Sequence, residues 1–194
     1  MERTLVLIKP DGVQRGLIGE AIGRFERAGF KIVALKMLKP SRELASRNYP
    51  DSEEWYRKVG ERSTETFKSM GTDVKTKFGT DDPIAIGRIV KGWIVRFLSS
   101  SKVVAMVLEA NNAAAHARKI VGETNPIKAI AGSIRADFSI DDVINGNALN
   151  RPVLNVVHAS GSAQEAADEI KLWFTEKEML AYERDDEQVF YKSW

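Results

Sequence analysis

Asn155-Val156-Val157-His158-Ala159-Ser160 is an apolar, β-branched run that carries one of the two histidines in the 194-residue chain. Such a run reads as a buried strand, here from Val153 to His158. Ser162-Ala163-Gln164-Glu165 follows at once and fits a capping box. Ala163, Ala166, Ala167, Ile170 and Trp173 then recur at helical spacing. The stretch therefore ends a strand and opens a helix. A neutral imidazole is a good nucleophile near pH 7 and needs no separate base. The plainer alternative is a core histidine with its hydrogen bonds met inside the fold.

The same alternation runs through the rest of the chain. Thr4 to Lys9 is a short apolar run closed by Pro10. Ile18, Ala21, Ile22 and Phe25 follow at helical spacing, with Gly29 as a stop. Lys31 to Leu38 reads as a second strand, and Ser41 with Leu44 and Ala45 as a short helix. Asp82-Pro83 starts a helix whose stripe is Ile86, Ile89, Val90, Trp93, Ile94 and Phe97. Val103 to Leu108 is the third strand and Ala113 to Val121 the next helix. Short strands alternating with longer helices indicate an α/β sandwich. The order suits a split βαβ arrangement, although periodicity alone leaves a small doubly wound sheet open. The tail from Thr175 is mixed and charged, with Trp173, Phe174, Phe190 and Trp194 as candidate anchors.

Composition bounds the function. Hydrophobic residues make up 43% and charged residues 29%, with a formal net charge of +2, so nothing points to bulk binding of nucleic acid or membrane. There are no cysteines, which removes disulfides and thiolate metal sites. No apolar stretch is long enough to span a bilayer, and the chain enters a strand directly after Met1. A cytoplasmic protein of one domain, residues 1–194, is the expectation. The chain has neither a P-loop nor a Gly-x-Gly-x-x-Gly fingerprint, so phosphate-holding cations have to come from separate elements.

Three segments supply such cations. They are Ile8-Lys9-Pro10-Asp11-Gly12-Val13-Gln14-Arg15-Gly16, Arg118-Lys119-Ile120-Val121-Gly122-Glu123-Thr124-Asn125-Pro126, and Gly132-Ser133-Ile134-Arg135-Ala136-Asp137-Phe138. With the histidine segment, in this order, they resemble a nucleoside diphosphate kinase from Met1 to about Glu187. The resemblance implies a ferredoxin-like α/β sandwich with a four-stranded antiparallel sheet. It also implies transfer of the terminal phosphate of ATP or another NTP to an NDP through phosphohistidine at His158. By the same resemblance Lys9, Arg118, Thr124, Arg135 and Asn155 contact the nucleotide. Glu169 orients the imidazole, with Ser160 as a second polar neighbour, and Tyr49 stands where its hydroxyl would orient Lys9. Mg²⁺ would arrive on the nucleotide, with no protein side chain as its ligand, and the subunits would form a homo-oligomer, as hexamers do in the family. His116 fits no motif and reads as a surface residue.

The resemblance breaks in four places. The segment at about 51–80 is longer than the family's link, and is polar and expected to be helical and exposed. A gap-free count places Val90 where the family has a base-stacking phenylalanine, with Phe78 or Trp93 as substitutes. Ala131 stands where the family has a loop proline. The segment 139–152 is also long, and Asn145-Gly146 suggests a surface turn. Regular period-2 geometry puts Asn155 and His158 on opposite faces of their strand, so a shared site requires a bulge or a strand end. Two other readings remain: a catalytically weak nucleotide-binding relative, and a nucleic-acid-binding protein using Arg88, Lys91 and Arg96.

Overall fold

The computed structural model describes residues 1–69 and 71–191. Trp194, one of the expected tail anchors, lies outside them. The elements are β1 (Glu2–Ile8), α1 (Pro10–Gln14), α2 (Ile18–Arg27), β2 (Lys31–Leu38), α3 (Arg42–Arg47), α4 (Glu53–Ser69), α5 (Val74–Phe78), α6 (Pro83–Leu98), β3 (Val103–Ala110), α7 (Ala113–Val121), α8 (Ile134–Phe138), α9 (Val143–Ala148), β4 (Val157–Ala159), α10 (Ala163–Trp173) and α11 (Glu187–Tyr191). The four strands form one sheet in the order β2-β3-β1-β4, antiparallel at every pairing. This is the ferredoxin-like sandwich, and it removes the doubly wound alternative.

β1 is apolar on both sides because both sheet faces are covered. Val6 and Ile8 join Met106 and Leu108 of β3 in a core with Phe25 of α2 and Ala117 of α7. Leu5 and Leu7 join Ala105 and Val107 in a second core with Ala45 of α3 and Trp173 of α10. Each such buried side chain contributes about 1.5–3 kcal/mol, so β1 anchors both layers. His158 pairs with Leu7 across the sheet and therefore faces the α3 and α10 side.

β4 is shorter than the run suggested. It begins at Val157, because Val156 has φ +67° and breaks the extended chain. Lys9 is also not a strand residue. It caps α1, with Pro10 at the first helical position. A methyl group on Gly12 would come within 3.0 Å of Val156, so the glycine lets α1 approach the kink. Asn145-Gly146 is part of α9 rather than a surface turn, capped by Asp142, with Gly146 and Asn147 buried. At the start of α10, Ser162 accepts from Glu165 N as expected, but the Glu165 carboxylate accepts from Gly161 N instead of Ser162 N.

The segment 51–80 is helical, yet not simply exposed. Tyr56, Gly60, Ser63 and Phe67 form a buried face of α4. That face lies directly against α6: a methyl group on Gly60 would overlap the Pro83 carbonyl, and one on Gly87 the Tyr56 carbonyl. Buried Lys91 locks the contact, donating to Pro50 O at 3.1 Å and to the Tyr56 hydroxyl at 3.4 Å, with Asp51 3.5 Å away. Phe67, Val74, Ile86, Val90, Trp93 and Phe78 make a third small core there.

Candidate active site

His158 lies in a cleft of about 610 Å³ bounded by β4, α4, α6 and the ends of α7 and α10. Its Nε2 is 2.7 Å from Oε1 of buried Glu169, and Oε2 of the same carboxylate accepts from the Ser160 hydroxyl at 2.6 Å. A buried carboxylate beside a ring nitrogen favours the N–H on that nitrogen. Nε2 then donates to Glu169, and the free lone pair falls on Nδ1. The imidazole is thus oriented by a chain of two hydrogen bonds.

The kink at Val156 explains how Asn155 and His158 come to line the same cleft. Its N–H donates to Asp11 Oδ2 at 2.8 Å, and its carbonyl accepts from Lys9 N at 2.8 Å. Asp11 is therefore a site-building residue to which the sequence reading gave no role. The adjacent Pro10 and Gly12 were the available signal. Asn155 donates to Thr124 O at 2.6 Å and accepts from the Lys9 ammonium. Lys9 also donates to Val153 O at 3.4 Å, and its ammonium lies 5.4 Å from the centre of the Phe97 ring. Among the described residues no Tyr49–Lys9 hydrogen bond occurs. Asn155 orients the lysine, and Tyr49 packs edge-on to His158 with ring centres 6.1 Å apart.

Both buried cations are electrostatically strained. Burial pulls the Lys9 ammonium from 10.5 down to about 8, against an opposing pull from Asp11. Burial, then the neighbouring Arg118, pulls Arg135 below its ordinary value, down to about 10. Arg135 donates to Gly122 O and Val157 O at 2.8 Å each, and its Nε has no partner among the described residues. Burial first, then Glu169, pushes the Tyr49 hydroxyl upward, so it stays neutral. Among the described residues five cationic side chains line the cleft (Lys9, Lys58, Arg62, Arg118, Arg135) against one lining carboxylate, Glu165. Thr124 lines it beside them. Such a surplus fits a polyanion.

Three expected base contacts are elsewhere. Val90, Phe78 and Trp93 all belong to the third core, where Phe78 and Trp93 stack on one another 5.7 Å apart. The aromatic residues that do line the cleft are Tyr49, Trp55 and Phe97. Arg88 packs on the Tyr56 ring outside the cleft. His116 is exposed and lines a separate cavity of about 650 Å³ beneath the C-terminal segment.

The family model for nucleoside diphosphate kinase matches residues 2–80 and 87–179. The chain belongs to the nucleoside diphosphate kinase family. A nucleoside diphosphate kinase of Pyrobaculum aerophilum is 49% identical over 93% of this chain and 98% of the relative. One of Archaeoglobus fulgidus is 41% identical over 99% of each. A crystal structure of an NDP kinase from Pyrobaculum aerophilum is similar with a TM-score of 0.91 at 47% identity, covering 93% of this chain and 99% of that one. A nucleoside-diphosphate kinase from Borrelia burgdorferi, a transition-state mimic with bound vanadate and ADP, is similar with a TM-score of 0.77 at 36% identity, covering 97% and 95%. Within this family the cleft around His158 is the candidate centre for phosphate transfer.

Proposed function

We infer that the protein is a nucleoside diphosphate kinase working through phosphohistidine at His158. The supporting observation is the Ser160–Glu169–His158 chain beside Lys9, Arg118 and Arg135 in one cleft. In the first half-reaction the Nδ1 lone pair forms a bond to the γ-phosphorus. The bond from that phosphorus to the β–γ bridging oxygen breaks, and its electrons leave with the NDP. In the second, a β-phosphate oxygen of another NDP attacks, and the electrons of the N–P bond return to Nδ1. Glu169 stabilises the positive charge the ring takes on. In this reading Lys9, Arg118 and Arg135 neutralise phosphate oxygens and the Thr124 hydroxyl donates to them. Their shared lining of the cleft before any nucleotide arrives supports it, since preorganised charge lowers reorganisation in the transition state. Asn155 fixes Lys9.

The donor set fits a divalent cation carried in by the nucleotide. Among the described residues His158, Glu165 and Glu169 are the one grouping of three His, Asp or Glu side chains with ligand spacing. His158 and Glu169 are already bonded to each other, and the lining is mostly cationic, so the protein offers no oxygen cage. Mg²⁺ carried in on the donor phosphates would neutralise part of their charge.

We read residues 1–194 as one domain with two long segments. Exposed Leu35, Met37, Ile127 and Ile130 support a homo-oligomer, a hexamer by family resemblance, which light scattering would measure. No described helix is long and apolar enough to cross a membrane, and a cytoplasmic location is our reading. The deciding experiment is phosphate transfer from ATP to GDP with Mg²⁺. Activity with an acid-labile, base-stable protein label supports the reading, and a chain that neither labels nor transfers refutes it.

A further inference from the structure

We propose that the nucleobase is held by α4, packed on Val59 and stacked on the planar guanidinium of Arg62. This rests on the nucleotide reading above and names the group that holds the base in it.

Four observations carry it. First, α4 has two distinct faces. Positions 56, 60, 63 and 67 are buried, with the glycine contact and Lys91 locking the helix to α6, whereas Trp55, Lys58, Val59 and Arg62 line the cleft. The spacing i, i+3, i+4, i+7 is one continuous stripe. A helix clamped on its back presents that stripe as a fixed wall.

Second, the aromatic candidates lie in the third core or at the phosphate end. Phe78 and Trp93 fill the third core. Phe97 sits near the Lys9 ammonium and Tyr49 beside His158, so both stand at the phosphate end. Trp55 packs on Tyr49 with ring centres 6.2 Å apart.

Third, the stripe leads away from that end. Arg62 lies two turns beyond Trp55, roughly 10 Å along the axis. It is exposed and lines the same cleft. A base must lie beyond the phosphates and ribose, in the direction the stripe runs.

Fourth, Lys58 and Arg62 bring positive charge to the cleft wall, which suits an anionic, π-bearing ligand. An arginine plane accepts any base face, since every base has one.

Calorimetry with ADP and with inorganic pyrophosphate separates the base from the phosphates. Arg62→Ala is expected to weaken ADP about tenfold and pyrophosphate less than about twofold, the scale of one stacking contact. Arg62→Lys should lose nearly as much, because charge remains and the plane is gone. Arg57→Ala, the same charge change away from the cleft, should leave both affinities unchanged. Unaltered ADP binding in Arg62→Ala, equal losses for ADP and pyrophosphate, or full recovery in Arg62→Lys would each overturn the assignment. The parent chain's transfer from ATP to GDP reads the underlying function separately: its failure refutes that reading, whereas an Arg62 result refutes only the base contact.

Discussion

The cleft has two walls built by different physics. On the sheet side, Lys9, Arg135, Asn155 and Glu169 are buried, and each is hydrogen-bonded to a neighbour. On the α4 side, Lys58 and Arg62 are exposed, and their helix is held by backbone contact at Gly60 and Gly87. The sheet wall has its charges desolvated and oriented in advance, which suits a transition state that tolerates little displacement. The helix wall is positioned by packing and leaves its side chains in water, which suits a ligand that varies from one nucleotide to the next.

If the walls differ in this way, damage to the sheet wall should stop chemistry and damage to the helix wall should weaken binding. The largest effect is expected from His158→Ala, which should abolish phosphorylation of the protein by ATP with no acceptor present. Undiminished or acid-stable labelling in that variant would remove the proposed intermediate.

Next come the arginines. Arg118→Ala and Arg135→Ala should each slow transfer by about a hundredfold or more, the scale of losing a fixed donor to a developing charge. Arg135 is itself buried and bonds the Gly122 and Val157 carbonyls, so its variant should lose thermal stability as well, which Arg118→Ala should not. Arg88→Ala, on the ring of Tyr56, should do less than either. Steady-state rates with melting curves check all three, and a most damaging Arg88 would invert the comparison.

The third test is pH. Lys9 has its pKa lowered to about 8 in the free protein, so its charge is lost as pH rises through that value. Affinity for ADP should therefore fall between about pH 8 and 9.5, by calorimetry in matched buffers. The stability consequence has the opposite sign. The unfolded chain binds the proton up to its ordinary 10.5, so burying a charged Lys9 costs stability below about pH 8, and that cost is lifted as pH rises toward 10.5. Affinity flat across this range would mean the lysine is not charged against phosphate.

The smallest effect belongs to the helix wall. Gly87→Val would force α4 off α6 at Tyr56 and should cost about 1–3 kcal/mol, as overpacking does. It should raise the KM for ATP while His158 still accepts phosphate at saturating donor. A fall in saturating rate with KM unchanged would place α4 in the catalytic machinery itself.

The sheet wall was far more legible in the sequence than the helix wall. β-branched runs and helix caps locate β1, β2, β3, α6, α7 and α10, because propensity and burial agree there. His158, Lys9, Arg118, Arg135 and Asn155 stand in short motifs whose glycines and prolines dictate local turns, and the structure brings them together. The kink at Val156 was not legible, since a valine carries no signal for φ +67°. It is imposed from outside by Asp11 and Lys9. The wall formed by α4 was hidden for a related reason. Its buried face is made of Tyr56, Gly60, Ser63 and Phe67, a weakly apolar stripe whose meaning depends on the facing glycine of α6. Val90 likewise looked like a gap in a binding site, when it belongs to a core that only the long segment completes.

The kink has an evolutionary consequence. A β-branched residue at positive φ stores about 1–3 kcal/mol of strain, and both backbone groups of Val156 are held by the Lys9–Gly12 turn. The two segments are distant in the chain, yet neither can drift freely. A change at Asp11 or Gly12 releases the strained residue and turns Asn155 away from Lys9. A relaxing change at Val156 leaves Asp11 with a buried carboxylate and nothing to bind. Substitutions in one segment are thus epistatic with those in the other, and a chain that departs from one half of the pair is expected to regain a working site only by changing both.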